Sequence, residues 1–267
     1  MSINEIQSLK NSRFESHNKS TNFIQTLNAM QNKSTLQEIE ERFDKDVERF
    51  SNLETGQATM LDSAFNLDLI TDCIQQHYPN LSSVLDIGCG AGNYDVKLLS
   101  RVTSNPSVHL LDLSLPMLDK AKERVSPLTQ GEVKTFKGDF RTVDLVENNY
   151  DVIIATAVLH HLRDDNDWET AFVRLHRLLK PGGSIWIFDM IQQNTPKLQE
   201  IIYTQRYGNF LIDLKDEEYR DHVFTYIEKE DSPRPLVYQL NLLQQVGFRQ
   251  VDVLHKNLCM ASYVAFK

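Results

Sequence analysis

The sequence predicts a doubly wound α/β fold, and two observations support this prediction. From residue 82 onwards, short apolar runs alternate with amphipathic segments. Near-continuous apolar strands between helices indicate a parallel sheet that is covered on both faces. A glycine-rich segment, Gly88-Cys89-Gly90-Ala91-Gly92, directly follows the first apolar run. Open α/β sheets bind their ligands at this edge, so the same segment predicts a ligand site.

Seven segments are predicted as strands. The first five are the apolar runs at 83–87, 108–113, 133–137, 152–156 and 184–188. Helices near 93–101, 116–125 and 167–179 separate several of them. A further helix at 235–246 precedes two closing strands at 250–255 and 259–266.

The flanks of this region are helical or polar. We expect a polar N-terminal arm at 1–33, N-terminal helices at 34–80, and a binding domain at 81–267 with a helical insertion at about 191–235. Thr35 and Glu38 have the spacing of a capping box, which predicts that a helix begins there. Its apolar face would continue through Phe43 to Phe50, and a second helix would span about 60–78.

Composition limits the classes of function. The chain has 267 residues and a formal net charge of −9, so it lacks the broad basic field that suits nucleic-acid backbones. Its three cysteines have no metal-ligand spacing, and we predict no metal site and a reducing, cytoplasmic location. No signal peptide and no run of the roughly 20 apolar residues that span a bilayer is visible, so no membrane partner is expected.

Two ligand classes compete for the glycine loop. A dinucleotide loop needs the pattern G-x-G-x-x-G, whereas Asn93 stands at the third glycine position here. The observed pattern, G-x-G-x-G, would admit a small amino-acid moiety beside the backbone instead of a pyrophosphate at the helix N-terminus.

Several motifs, in order, resemble those of class I S-adenosylmethionine (SAM)-dependent methyltransferases. Val84–Asn93 resembles the first motif, and Leu110-Leu111-Asp112-Leu113-Ser114 ends the second strand in an acid. Gly138-Asp139-Phe140 ends the third strand, and the run from Tyr150 to Leu162 looks like the fourth motif. Leu178–Gly183 matches the turn before the fifth strand. The resemblance implies SAM as cofactor and a Rossmann-like sheet whose last strand is antiparallel.

The resemblance also implies roles for individual residues. Asp112 would accept hydrogen bonds from the ribose hydroxyls, Asp139 one from the adenine amino group, and Met117 would lie near the adenine face. Ala155 and Thr156 would lie beside the methionine moiety. The implied cofactor-binding residues are Asp86, Gly88, Gly90, Gly92, Asp112, Leu113, Met117, Asp139, Phe140, Ala155, Thr156 and His160.

The flanks are similar to the carboxy-SAM synthase branch, which makes a modified SAM for tRNA wobble-uridine modification. Arg42–Val47, the segment at 244–248 and the C-terminal segment 261–267 carry this similarity. It implies a homodimer and a carboxylate-binding arginine in the insertion, where Arg220 is the candidate. The ordinary glycine loop and Thr156, which stands where that branch has asparagine, depart from its pattern.

We therefore predict a methyltransferase that acts on a small-molecule acceptor. The alternatives are a SAM-modifying enzyme similar to carboxy-SAM synthase, a SAM-binding regulatory or scaffold protein, and an RNA methyltransferase, which the net charge disfavours. Tyr203, Arg206 and Tyr207 have a spacing that would let one helix aim them together. The candidate acceptor-side residues are His160, Asp189, Tyr203, Arg206, Tyr207 and Arg220.

Overall fold

A seven-stranded sheet forms the centre of the computed structural model, which describes residues 33–52 and 56–267. The strands are β1 Ser83–Ile87, β2 Ser107–Asp112, β3 Val133–Lys137, β4 Tyr150–Thr156, β5 Leu179–Met190, β6 Gln250–Asn257 and β7 Met260–Phe266. Their order is β3-β2-β1-β4-β5-β7-β6, and β7 runs antiparallel to the other six strands. The predicted Rossmann-like sheet is confirmed.

Helices flank the sheet. In the described part of the chain they are α1 Leu36–Phe43, α2 Val47–Ser51, α3 Ser63–His77, α4 Asn93–Leu99, α5 Leu115–Val125, α6 Asp165–Leu178, α7 Pro196–Gln199, α8 Gly208–Leu214, α9 Glu217–Glu230 and α10 Leu236–Gln245. Short 3-10 turns lie at Ser126–Leu128 and Leu159–His161, and a π-helical segment, Glu200–Tyr207, joins α7 to α8. No helix of the described residues is long and apolar enough to cross a membrane.

The hydrophobic core lies on both faces of the sheet. Trp168 and Phe172 of α6 pack with Leu243 of α10 on one face. On the other face, Ile74 of α3 and Tyr207 belong to a second apolar cluster. Val84 and Leu85 fall in different clusters because successive strand side chains point to opposite faces. Two covered faces explain why the strand sequences are almost continuously apolar.

The predicted helix at 34–50 is two helices. Thr35 caps α1 in the expected capping box with Glu38, but the helix ends at Phe43. Asp46 N–H then bonds the Phe43 carbonyl, three residues back, and closes a turn before α2. The side chain of Asp44 in this turn accepts a hydrogen bond of 2.6 Å from Ser114 Oγ. A long-range contact that the local apolar pattern does not encode therefore stabilises the break.

Strand β5 also differs from its prediction, because it begins at Leu179 instead of 184. Leu179 pairs with Tyr150, the register shifts, and Ser184 then pairs with Val152. The intervening Lys180-Pro181-Gly182-Gly183 bulges out, with Gly182 at φ +79°. The predicted insertion is helical from α7 to α9. The predicted polar arm lies outside the described residues except for Lys33.

Candidate functional site

The glycine loop joins β1 to α4 and exposes its backbone. Gly88, Gly90 and Gly92 all have positive φ, at 64°, 50° and 74°. A Cβ on Gly88 would lie 2.7 Å from Val158, whereas one on Gly90 would meet nothing within 4 Å. Glycine at residue 90 therefore keeps a main-chain surface open to a ligand, in a backbone conformation that other residues rarely adopt.

A cleft with two adjoining halves lies over this loop. Both halves are lined by Ile39, Gly88, Asp112, Leu113, Val158 and His161. The loop half adds Gly90, Met117 and Thr156. The distal half adds Asp139, Phe140 and Arg141. We call the two halves together the cofactor cavity.

Asp112 lies where the two halves meet. Its carboxylate accepts hydrogen bonds of 2.9 Å from the backbone N–H groups of Gly90 and Ser114, and its side chain is largely buried. Burial raises the pKa of Asp112, although the backbone hydrogen bonds oppose that shift. Two N–H donors leave further carboxylate lone pairs for ligand hydroxyls. The residue can therefore hold both the loop and a polyol.

Eight of the twelve residues predicted to bind the cofactor line the cavity: Gly88, Gly90, Asp112, Leu113, Met117, Asp139, Phe140 and Thr156. The other four lie elsewhere. Gly92 packs closely against Ala121 and Val125 of α5, and Ala155 is fully buried in β4. Asp86 and His160 lie behind the cavity wall and line neither half.

Asp86 lies below the loop next to a second buried acid, Asp95 of α4. Both side chains are almost fully buried, and one oxygen of Asp86 and both of Asp95 have no hydrogen-bond partner among the described residues. Burial raises the pKa of Asp86 well above its usual value and that of Asp95 to about 6. These carboxyls form an acidic floor beneath the loop half.

Asp139 is already paired in the distal half. Its carboxylate accepts hydrogen bonds from the backbone N–H and the Nε of Arg141, at 2.8 and 3.0 Å. Arg141 Nη1 also lies 2.7 Å from Asp167 Oδ2. The predicted adenine-binding acid is therefore held in one orientation by an arginine that also lines the cavity.

His160 and Asp189 form a buried pair at the back of the wall. Asp189 Oδ2 accepts from the N–H groups of Val158, Leu159 and His160, at 3.2, 2.7 and 3.3 Å. Asp189 Oδ1 pairs with His160 Nδ1, and His160 Nε2 lies 3.7 Å from Asp231 Oδ1. Burial opposes protonation, but Asp189 and Asp231 raise the pKa of His160 to about 9. Asp189, with no exposed surface, does not face an acceptor as the sequence predicted.

Among the other acceptor-side candidates, Tyr203 and Tyr207 lie together with ring centroids 5.6 Å apart, but none of the four lines the cofactor cavity. Tyr207 is buried and donates to the carbonyl of Thr59 at 3.0 Å, while Arg206 is exposed. Tyr203 lines a separate outer cavity with Lys33 and Asp231. Arg220 pairs with Asp221 on α9 and lines neither half of the cofactor cavity.

Sequence reasoning missed the residues that cover the cavity. Ile39 of α1 lines both halves, and Phe43 and Phe50 line the loop half with ring centroids 5.4 Å apart. His161 lines both halves, whereas its neighbour His160 was the predicted contact. The only available signal was the apolar face of the first helix, and it does not reveal what that face covers.

Comparisons with known proteins agree with this geometry. A family model described as a methyltransferase domain matches residues 84–183. The 2-phytyl-1,4-naphtoquinone methyltransferase of Nostoc punctiforme is 28% identical over 170 residues, which cover 62% of this chain and 72% of that protein. The carboxy-S-adenosyl-L-methionine synthase of Trichodesmium erythraeum is 27% identical over 202 residues, covering 72% and 75%.

Solved structures share the fold. A putative O-methyltransferase from Nostoc punctiforme superposes with a TM-score of 0.60 at 16% identity, covering 84% of this chain and 60% of that one. The chain spans 66% of the length of the first curated relatives that it matches. The motif order, the sheet topology and these matches together show that residues 84–183 form a methyltransferase domain of the class I SAM-dependent type, with SAM as its cofactor.

Proposed function

We propose that the chain transfers the methyl group of SAM to a small-molecule acceptor. The observation that carries this proposal is the position of Asp112. It lies at the junction of two cavity halves, held by the N–H groups of Gly90 and Ser114. One half offers open main chain beside Gly90 and the other offers Asp139 and Phe140, so the two halves fit the two ends of one elongated cofactor.

When bound, SAM supplies an activated methyl group on a sulfonium sulfur. In the proposed site Asp112 accepts hydrogen bonds from the ribose, and Leu113 and Phe140 pack beside the adenine. Thr156 lines the loop half, where the methionine moiety would lie. The chain then contributes mainly by positioning the acceptor and excluding water. Ile39, Phe43 and Phe50 provide the apolar cover that this exclusion requires.

A small acceptor fits the covered cavity and the charge of −9 better than a nucleic acid does. A relative that is named as a naphthoquinone methyltransferase also acts on a small molecule. The cytoplasmic location and the homodimer stay predictions from the sequence and from the resemblance.

The second candidate function is modification of SAM itself, as in the relative named carboxy-S-adenosyl-L-methionine synthase. That relative matches 72% of the chain, and the matched part therefore extends beyond the 84–183 domain. Arg220, the candidate for binding the extra carboxylate, is paired with Asp221 away from the cavity. The methyltransferase is therefore the favoured proposal, and the tRNA connection of the alternative has no support and is not proposed.

Mass spectrometry of the ligand that copurifies with the full chain separates the two candidates. We expect SAM or S-adenosylhomocysteine (SAH), and a carboxylated SAM would favour the second candidate. SAH release should then be measured across a panel of quinone, phenol and amine acceptors. If neither SAM nor SAH binds the purified chain in calorimetry, the proposal is wrong.

A further inference from the structure

Three lone-pair donors converge at the wall between the cofactor cavity and the outer cavity. They belong to His160, His161 and Asp231, each of which offers one ligand atom, and these three atoms all lie within 4.8 Å of one another. Asp231 Oδ1 is 3.7 Å from the His160 nitrogen and 3.2 Å from the His161 nitrogen. We propose that this cluster binds one divalent transition-metal ion, of the class that two imidazoles and one carboxylate select.

The three side chains of this cluster are mostly buried, so solvent does not readily satisfy their polar atoms. The side chains of Asp231 and His160 are 3% and 10% exposed, and that of His161 is 17% exposed. Neither Asp231 Oδ1 nor His161 Nδ1 has an aligned hydrogen-bond partner among the described residues, although the two atoms are close. A buried carboxylate oxygen and an imidazole nitrogen that face each other without an aligned hydrogen bond can be stabilised by a cation between them.

Asp189 orients the first ligand. Its carboxylate pairs with His160 Nδ1, so His160 Nε2 faces Asp231, and a metal ion that binds there displaces the proton on Nε2. Metal-binding histidines commonly donate their second N–H to a carboxylate in this way. Asp189 is itself held by the N–H groups of Val158, Leu159 and His160. The ligand and its support are therefore preorganised on the turn that follows β4.

The separations and charges suit a divalent ion. Ligand atoms about 2 Å from a tetrahedral or octahedral metal lie roughly 3 to 3.5 Å from each other, close to the two separations at Asp231 Oδ1. The carboxylates of Asp189 and Asp231 offset the charge of such an ion, and Lys33 and Arg163 also interact with Asp231. The nearby Glu230 is balanced separately by Arg42, whose Nη1 is 2.6 Å away.

The site would join parts of the chain that are distant in sequence. His161 lines both halves of the cofactor cavity, and Asp231 follows α9 and lines the outer cavity. Three protein ligands also leave a coordination position open for water or another oxygen donor. Metal binding itself does not depend on the proposed methyl transfer.

Cobalt binding to the full chain, purified without a histidine tag, tests the proposal. After treatment with a chelator and dialysis, Co²⁺ is titrated in and followed by its visible absorption, with the bound amount measured by elemental analysis. We expect one equivalent per chain. Asp231→Asn and His161→Gln should each weaken Co²⁺ binding at least tenfold. His222→Gln, which removes an exposed histidine on α9, should bind Co²⁺ as the unmodified chain does.

SAH binding and circular dichroism of the same samples report whether each variant is folded. Folded variants that bind Co²⁺ as the unmodified chain does would overturn the proposal. The proposal would also be overturned if the unmodified chain binds neither Co²⁺ nor Zn²⁺ stoichiometrically. The cluster would then be held by a protonated His160 between Asp189 and Asp231. Failure of the unmodified chain to bind SAH, with Co²⁺ binding intact, would instead count against the proposed function and leave the metal site standing.

Discussion

At the scale of single residues, Asp112 is the carboxylate that lines both halves of the cofactor cavity. Asp112→Asn replaces a charged acceptor with an amide that can no longer accept at both oxygens. Hydrogen bonds to charged groups contribute about 1.5 to 3 kcal/mol, so we expect the dissociation constant for SAH to rise at least roughly tenfold. Calorimetry measures the change. Asp119→Asn, an exposed change on α5, should leave SAH affinity unaltered.

Asp95 gives a prediction about pH. Burial raises its pKa from 3.8 in a model compound to about 6, so the folded state favours the protonated form. The stability that this proton provides is present below pH 4 and is lost as the pH rises to about 6. Asp95→Asn removes the charged form, and we expect it to stabilise the fold at pH 8 by at most about 3 kcal/mol, on the basis of 1.4 kcal/mol per pKa unit.

Denaturant unfolding at pH 5 and pH 8 checks this prediction. The difference between Asp95→Asn and the unmodified chain should shrink at the lower pH, because Asp95 is then mostly protonated in the folded state and no longer carries a buried charge. A variant that is less stable than the unmodified chain at pH 8 would contradict the expected cost of the buried Asp95 charge.

At the scale of elements, the turn between α1 and α2 fixes the cover of the cavity. Asp44 accepts from Ser114 Oγ, and Ser114 also caps α5 by accepting from the Met117 N–H. We expect Asp44→Ala to increase hydrogen exchange in 36–51 and to weaken SAH binding several-fold, since one such hydrogen bond contributes about 1 kcal/mol. Asp46→Ala in the same turn removes only an exposed pair with Arg49 and should leave SAH binding unchanged.

The sequence predicted elements where the signal is local. Val84, Ile153 and Ile185 belong to apolar runs that the strand pattern identifies, and Thr35 and Glu38 identify a helix start within four residues. The same local pattern could not end α1 at Phe43, because the break depends on Ser114, which is 70 residues away from Asp44.

The residues of the candidate site also divide into those that the local sequence predicts and those that only tertiary contacts define. Gly90 and Asp112 were predictable because their positions at strand ends define them. Arg141 was not, since its role depends on its pairing with both Asp139 and Asp167. Asp231 follows α9 in the insertion and meets His160 only after the chain has folded. Residues that act through tertiary contacts leave no periodic or spacing signal.

At the scale of the whole molecule, Glu230 connects the N-terminal helices to the insertion. Its buried carboxylate lies 2.6 Å from Arg42 Nη1 and accepts from Ser34 Oγ at 2.6 Å. Removing one partner of a buried pair is strongly destabilising, but Arg42 is 29% exposed and solvent screens part of the loss. We expect Glu230→Ala to lower the free energy of unfolding by about 2 kcal/mol.

Chemical denaturation measures the effect of Glu230→Ala, and Glu228→Ala is the matched control because its side chain is exposed on the same helix. Equal stability of the two variants would show that the N-terminal helices and the insertion are not coupled through Glu230. A loss confined to Glu230→Ala, accompanied by weaker SAH binding, is the expected result.

The apolar side chains of α1 and α2 have a consequence for the rate at which SAH leaves and SAM enters. Ile39, Phe43 and Phe50 lie over the pocket that both the spent and the fresh cofactor must pass through. Each exchange must therefore expose these side chains to water for a moment. Product departure should then become slower as the cover packs better, and inhibition by accumulated SAH should be pronounced. Smaller residues at Phe43 or Phe50 would weaken the binding of SAM and SAH and speed the dissociation of SAH.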